Sequence, residues 1–350
     1  MSFAQIALKT LVRTAVITPV VMATIAAGVL TLTAPKAPPP LASIENASSP
    51  YAGYAREQPA ARFLTARDGG KLAYRLYPAE GAEKGVVVLV HGSSGTGLTV
   101  HSLAKAIAAK GMSVYAPDLR GHGQSPGPDG RLGDIVHRTQ YSEDLGDFAA
   151  HIRRQHPGQK RLLAGFSMSG GLILRHAGEA EARARSKDAR SKDGGDYDAY
   201  LAISPFIAPG TVMDRPNQGG WTTVSVPRIV TLSILNQMGI SAFDHLTVLA
   251  MAVPKDLQAG RPANYSHALL ASSSLPRPWE KTVAAIKAPT RVIIGAQDEL
   301  FVAEAYPDAL KAVNPALSVR LVAGVDHMGM MLNPAAHDAI RTEAEALLGQ

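Results

Sequence analysis

"GVVVLVHG", from Gly85 to Gly92, is a nearly all-apolar run, as expected of a strand covered on both faces. The segments after it keep a repeated rhythm of short strand, then helix. "LTVHSLAKAIAAKG" reads as a helix ending at Gly111, and "MSVYAPD" as the next strand. In "TQYSEDLGDFAAHIRRQ", Leu145, Phe148 and Ile152 share one helical face. "KRLLAGF" is a strand and "LILRHAGEAEARA" the helix leaving it. "DAYLAISP", "TRVIIGAQD" and "LSVRLVAG" supply three later strands, and "AAHDAIRTEAEALLG" is a closing helix. The alternation predicts an α/β fold, a mostly parallel sheet flanked by helices. Ahead of it, "RFLTARDGGKLAYRLY" alternates about Asp68-Gly69-Gly70 as a β-hairpin does.

Two segments break the rhythm. "RSKDARSKDGGD", from Arg185, is a short tandem charged repeat that reads as a solvated loop. The larger interruption, 206–281, has a strongly apolar middle and is expected to form a helical lid over the strand ends. It divides the core into 61–205 and 282–350. Before the core, residues 35–60 are rich in proline and small polar residues and read as an extended spacer. Residues 1–34 hold an uncharged, mostly apolar run from Thr14 to Ala34, preceded by Lys9 and Arg13. About 20 helical residues match a hydrocarbon core of roughly 30 Å. This predicts a membrane anchor, or a cleaved signal segment, with the catalytic domain on the extracytoplasmic side or secreted.

The 350 residues are ample for a buried core, and the absence of cysteine excludes disulfides, thiolate metal sites and a cysteine nucleophile. The net charge of +6 is scattered, with no basic block interleaved with aromatics, so no nucleic-acid partner is expected.

In an open α/β sheet, ligands bind at the carboxyl ends of the strands. Ser167 directly follows the apolar strand ending at Phe166, and "MSGGLIL" can enter a helix at once. A serine at such a turn is lifted out of the sheet, and the helix N-terminus favours developing negative charge. The frames Gly165-x-Ser167-x-Ser169 and Ser167-x-Ser169-x-Gly171 both depart from Gly-x-Ser-x-Gly. Ser167 is the preferred nucleophile, because Ser169 would need a longer turn. Ser169 then replaces the usual second glycine where packing is tight.

An alkyl serine needs a base, and the base needs an orienting partner. Asp298 lies just beyond "TRVIIG" and His327 just beyond the last strand, giving the chain order Ser167, Asp298, His327. Asp326 and Asp118 are rival acids. His151 and His156, beside Arg153 and Arg154, read as surface residues. Backbone amides of "HGSSGTG", Ser93 foremost, could face an oxyanion together with the N–H of Met168. "DLRGHGQSPG" adds a supporting loop in which Arg120 and His122 can bond to neighbouring loops.

Taken together, "HGSSG", "DLRGHGQS", "GFSMSGG", "GAQDELF" and "DHMGM" resemble the α/β-hydrolase superfamily, nearest to the monoacylglycerol lipase, lysophospholipase and serine-aminopeptidase-like group. The likeness runs from about Arg62 to the C-terminus. It implies an α/β-hydrolase fold, Ser167 as nucleophile, His327 as base, Asp298 as its orienting acid, and the amides of Ser93 and Met168 as oxyanion hole. Two residues depart from the pattern: Ser169 in place of glycine, and Asp326 where a small residue often precedes the histidine.

The expectation is a serine hydrolase that cleaves carboxylic esters through an acyl-enzyme, with no cofactor or metal. The apolar insertion suggests a monoacylglycerol or lysophospholipid, although its Leu, Ile, Val and Met can equally form the insertion's own core. The resemblance also permits an aminopeptidase, which needs an acid such as Glu299 or Asp244 to hold the substrate ammonium. A third reading is a non-catalytic binding protein. The base must be neutral to act, so kcat/KM is expected to rise through roughly pH 6–7.

Overall fold

The structure is a computed structural model, and it describes residues 3–39, 57–185, 196–253 and 260–349. Its centre is an eight-stranded sheet in the order β1-β2-β4-β3-β5-β6-β10-β11. β1 (Arg62–Thr65) and β2 (Lys71–Tyr77) form the expected hairpin, with Thr65 opposite Lys71. β2 runs antiparallel to β4 (Met112–Pro117). From there β3 (Gly85–Val90), β5 (Arg161–Phe166), β6 (Ala199–Ile203), β10 (Thr290–Gly295) and β11 (Ser318–Val322) continue in parallel.

β3 is buried at every position because both of its faces are covered. Val86, Val88 and Val90 point into one core, Val87 and Leu89 into the other. α2 (His101–Ala108) and α10 (Pro334–Leu348) supply Leu103, Ile107, Ile340 and Leu348 to the second core. α3 (Gln140–Gln155) puts Leu145, Phe148 and Ile152 into the first. The two histidines read as surface residues are half-buried instead. His151 packs against the rings of Tyr74 and Tyr115, and His156 is bonded by the Tyr115 hydroxyl while its Nδ1 meets Glu83. Their neighbouring arginines suggested solvent, but the aromatic rings one strand away were hidden from a local reading.

α4 (Met168–Gly178) leaves β5 without a linker, and α5 (Ala180–Arg185) follows. Most of the charged repeat and of the Pro-rich spacer lies outside the described residues. Between β6 and β10 the chain builds β7 (Thr222–Val224), α6 (Val226–Gln237), β8 (Thr247–Met251), β9 (Asn264–Ser266), α7 (His267–Ser273) and α8 (Trp279–Ala284). The insertion is therefore mixed, with a three-stranded antiparallel sheet β7-β8-β9 beside its helices. A short apolar run such as "TVLAMAV" carries no period that separates strand from helix. Trp221, Met251 and Tyr265 from this insertion share a core with Met168, Leu300 and Phe301, so it packs over the carboxyl end of the sheet.

The expected membrane anchor is overturned. Among the described residues no helix is long and apolar enough to cross a membrane. α1 (Phe3–Leu32) is helical and carries Pro19 inside it. Its last turns also dock on the domain: Leu30 is buried with Leu232 and Val248, and Arg228 donates to the Leu30 carbonyl. The membrane-anchored localisation drawn from that run falls with it.

α9 (Tyr306–Val313) completes the fold; its Tyr306 hydroxyl donates to the Pro205 carbonyl at 2.6 Å, tying β10's side of the sheet to the start of the insertion.

Candidate active site

Strand β5 runs straight into α4 through one residue, Ser167, whose φ of 56° and ψ of −118° lie in a region that non-glycine residues avoid. Such a backbone costs about 1–3 kcal/mol and persists only where its surroundings hold it. Here the Ser167 N–H donates to Ile203, while its carbonyl accepts from Gly170 at 2.9 Å and Phe206 at 3.0 Å. The turn also needs close passage of strand and helix. A Cβ on Gly165 would come within 2.6 Å of the Ser169 carbonyl oxygen, and one on Gly92 within 3.0 Å of the Ser167 Cβ.

Ser169 answers the ambiguity of the motif. It is fully buried, and its hydroxyl donates to the His91 carbonyl at 2.5 Å. Its side chain thus turns toward the loop after β3, away from the strand–helix contact where a bulkier residue would clash.

The structure brings the other two expected residues to Ser167. The Ser167 hydroxyl lies 3.0 Å from His327 Nε2, and His327 Nδ1–H donates to Asp298 at 2.7 Å. The second oxygen of Asp298 accepts the N–H groups of Leu300 and Phe301, each at 3.0 Å. The imidazole sits between Phe166, 4.7 Å away and tilted, and Phe301, edge-on at 5.3 Å. Burial by itself would lower the His327 pKa, but the Asp298 carboxylate outweighs it, aided by Glu299 and Asp326, and the imidazole ends above its ordinary value. Burial pushes the other way on Asp298, yet His327 and the two backbone N–H groups hold its carboxyl below the usual range. A neutral His327 in this frame has Nδ1 protonated and Nε2 free to accept the serine proton.

The rival acids fall elsewhere. Asp326 is exposed and caps the N–H of Gly329. Asp118 is buried against Arg75 at 2.8 Å and accepts the N–H groups of Gly97 and Gln124. Asp244 is engaged with His267 and Asn236. Glu299, considered from the sequence as a holder of a substrate ammonium, accepts the backbone N–H of His327 at 2.9 Å, which fixes the histidine loop. In the supporting loop, Arg120 bridges Asp144 and Asp68, as its motif suggested. Burial pushes the Asp144 carboxyl up to about 6 in spite of that arginine.

The loop after β3 passes against the serine turn at Gly92, next to the expected amide of Ser93. The next residue, Ser94, donates its N–H to the hydroxyl of Tyr265 in β9 at 2.8 Å. No motif marked Tyr265 in the sequence, since it lies far along the chain in the insertion.

An α/β sheet with a strained serine turn, a histidine within hydrogen-bond reach and a carboxylate behind it places the chain in the α/β-hydrolase class. More particularly, residues 81–331 match the family model described as serine aminopeptidase, S33, and the chain belongs to that family. Among curated relatives, the monoacylglycerol lipase of Mycolicibacterium smegmatis is 27% identical over 237 residues, covering 66% of this chain and 76% of that one. Among solved structures, a soluble variant of monoglyceride lipase from Saccharomyces cerevisiae superposes with a TM-score of 0.59 at 15% identity, over 83% of this chain and 95% of that one. A putative aryl esterase from Burkholderia cenocepacia gives 0.53 at 18% identity, over 83% and 100%. At these identities the structures attest the shared fold.

Proposed function

We propose that this chain hydrolyses carboxylic esters through an acyl-enzyme on Ser167, with a monoacylglycerol or similar single-chain lipid ester as substrate class. The observation that carries the reading is the unbroken chain Ser167–His327–Asp298, with contacts of 3.0 and 2.7 Å. His327 takes the serine proton as Ser167 attacks the carbonyl carbon. Asp298 holds the tautomer and stabilises the imidazolium. The amides of Ser93 and Met168 receive the oxyanion, and His327 returns its proton to the departing alcohol. The same histidine then activates the water that releases the acid.

Support for a lipid acyl chain comes from the relative in Mycolicibacterium smegmatis and from the apolar insertion. That insertion, acting as a lid, brings Trp221 and Met251 into the core that holds Met168 and Phe301. The family description keeps an aminopeptidase activity in view.

A fluorophosphonate probe should label wild type and not Ser167→Ala. Across a series of esters, kcat/KM should rise with acyl length until the pocket is full, and a matched aminoacyl-anilide should be cleaved far more slowly. A flat profile from acetyl to decanoyl would remove the lipid assignment, and preference for the anilide would favour the peptidase.

A further inference from the structure

We propose that Tyr265 is a positioning residue for the oxyanion hole, so that the docked insertion holds the loop after β3 in its catalytic shape. This rests on the hydrolase reading above. Ser94 follows Ser93 directly, and it sits at a φ of 53°, a left-handed conformation that a serine does not choose unaided.

Three contacts from the insertion hold it there. Its N–H donates to the Tyr265 hydroxyl at 2.8 Å, its own hydroxyl donates to the Pro262 carbonyl at 2.6 Å, and the same hydroxyl lies 3.1 Å from the Met251 sulfur. The tyrosine is itself oriented. Its hydroxyl lies 2.8 Å from His122 Nε2, while His122 Nδ1 lies 3.3 Å from the Arg120 carbonyl. A carbonyl only accepts, so Nδ1 carries the proton and Nε2 accepts from the tyrosine. The tyrosine oxygen is then left to accept from the Ser94 N–H, and the Ser93 side chain bonds to the same hydroxyl.

Burial keeps His122 neutral, as that direction requires. The Gly123 N–H donates to the Gly260 carbonyl at 2.6 Å, which joins the same two segments a second time. The Ser94 amide is thereby occupied and does not compete with the Ser93 amide proposed above for the oxyanion. Removing the tyrosine hydroxyl would free Ser94 to relax from its strained backbone and swing its neighbour out of line.

The test compares wild type with Tyr265→Phe on an ester and its thionoester, whose C=S sulfur is received poorly by amide donors. Active sites are counted by fluorophosphonate titration, so that misfolded protein does not enter kcat. The expected result is a fall in kcat on the oxygen ester of about 10- to 100-fold with KM within about threefold, as for small misplacements of a reacting group. The thionoester should be nearly unaffected, so the oxygen-to-sulfur rate ratio collapses. His122→Gln, which keeps the tyrosine but alters its acceptor, should move the ratio the same way by less. A ratio that stays at the wild-type value in Tyr265→Phe overturns the proposal, even if kcat or thermal stability drops. Absence of fluorophosphonate labelling at Ser167 in wild type would instead bring down the hydrolase reading, and this proposal with it.

Discussion

Ser167 and Ser169 lie two residues apart, yet they have opposite tasks. One hydroxyl meets an imidazole, and the other is consumed by the His91 carbonyl. Ser169→Ala should therefore leave fluorophosphonate labelling intact while costing about 1–3 kcal/mol in denaturant unfolding, because a buried carbonyl loses its donor. Labelling that disappears in this variant would reverse the assignment. His327 yields a pH prediction. Its pKa is raised, chiefly because Asp298 outweighs the effect of burial, so the neutral base appears only on the alkaline side of the ordinary 6.5. The midpoint of kcat/KM against pH should lie above 6.5, on the alkaline side of the centre of the range expected from the sequence. Asp298→Asn should move that midpoint toward acid and lower kcat on the order of 10⁴-fold through the wrong tautomer. An unshifted midpoint would separate Asp298 from the base.

At the scale of elements, the strand–turn–helix unit β5–Ser167–α4 carries most of the site's precision. Gly165→Ala would drive a methyl group to 2.6 Å from the Ser169 carbonyl oxygen, which is backbone and has no room to yield. Its expected cost is about 1–3 kcal/mol of stability by overpacking, with a loss of kcat because the serine turn must move; thermal unfolding and steady-state kinetics read both. This unit was legible from the sequence because apolar strand, small residues and serine are contiguous. Asp298 and His327 were legible too, since each closely follows a strand whose end is marked by a glycine-containing turn. The insertion was less so. Its strands β7, β8 and β9 are short and unmarked by period, and Tyr265 has no local signature at all. Its role depends on meeting Ser94 and His122, residues more than a hundred positions earlier.

For the whole molecule, acid is the condition that tests the packing. Burial lowers His91 to about 4 and holds His122 well below 6.5, helped in the second case by His91, whose ring is 5.0 Å away. The unfolded chain takes up these protons first. Stability is therefore complete above about pH 6.5 and falls as pH drops toward about 4, by up to about 1.4 kcal/mol per pH unit for each group. Asp144, raised to about 6, acts in the opposite sense, since its folded form gains the proton first. His327, raised by Asp298, acts with Asp144, whereas buried His176, lowered to about 4, joins His91 and His122. Three fully buried imidazoles against two groups leave a net loss, so Tm should fall from about pH 6.5 to about pH 4.5 in scanning calorimetry; a level Tm would mean these imidazoles are not buried neutral.

The sequence by itself determined the α/β class, the parallel core and the chain order of serine, acid and histidine, because periodicity and strand-end position are local properties. Only the tertiary structure decided that the N-terminal helix docks against the insertion, that Ser169 is spent on a carbonyl, and that Tyr265 grips the loop beside the serine. Each of those depends on which distant surfaces meet. No local pattern specifies such meetings, because they follow from the packing of whole elements.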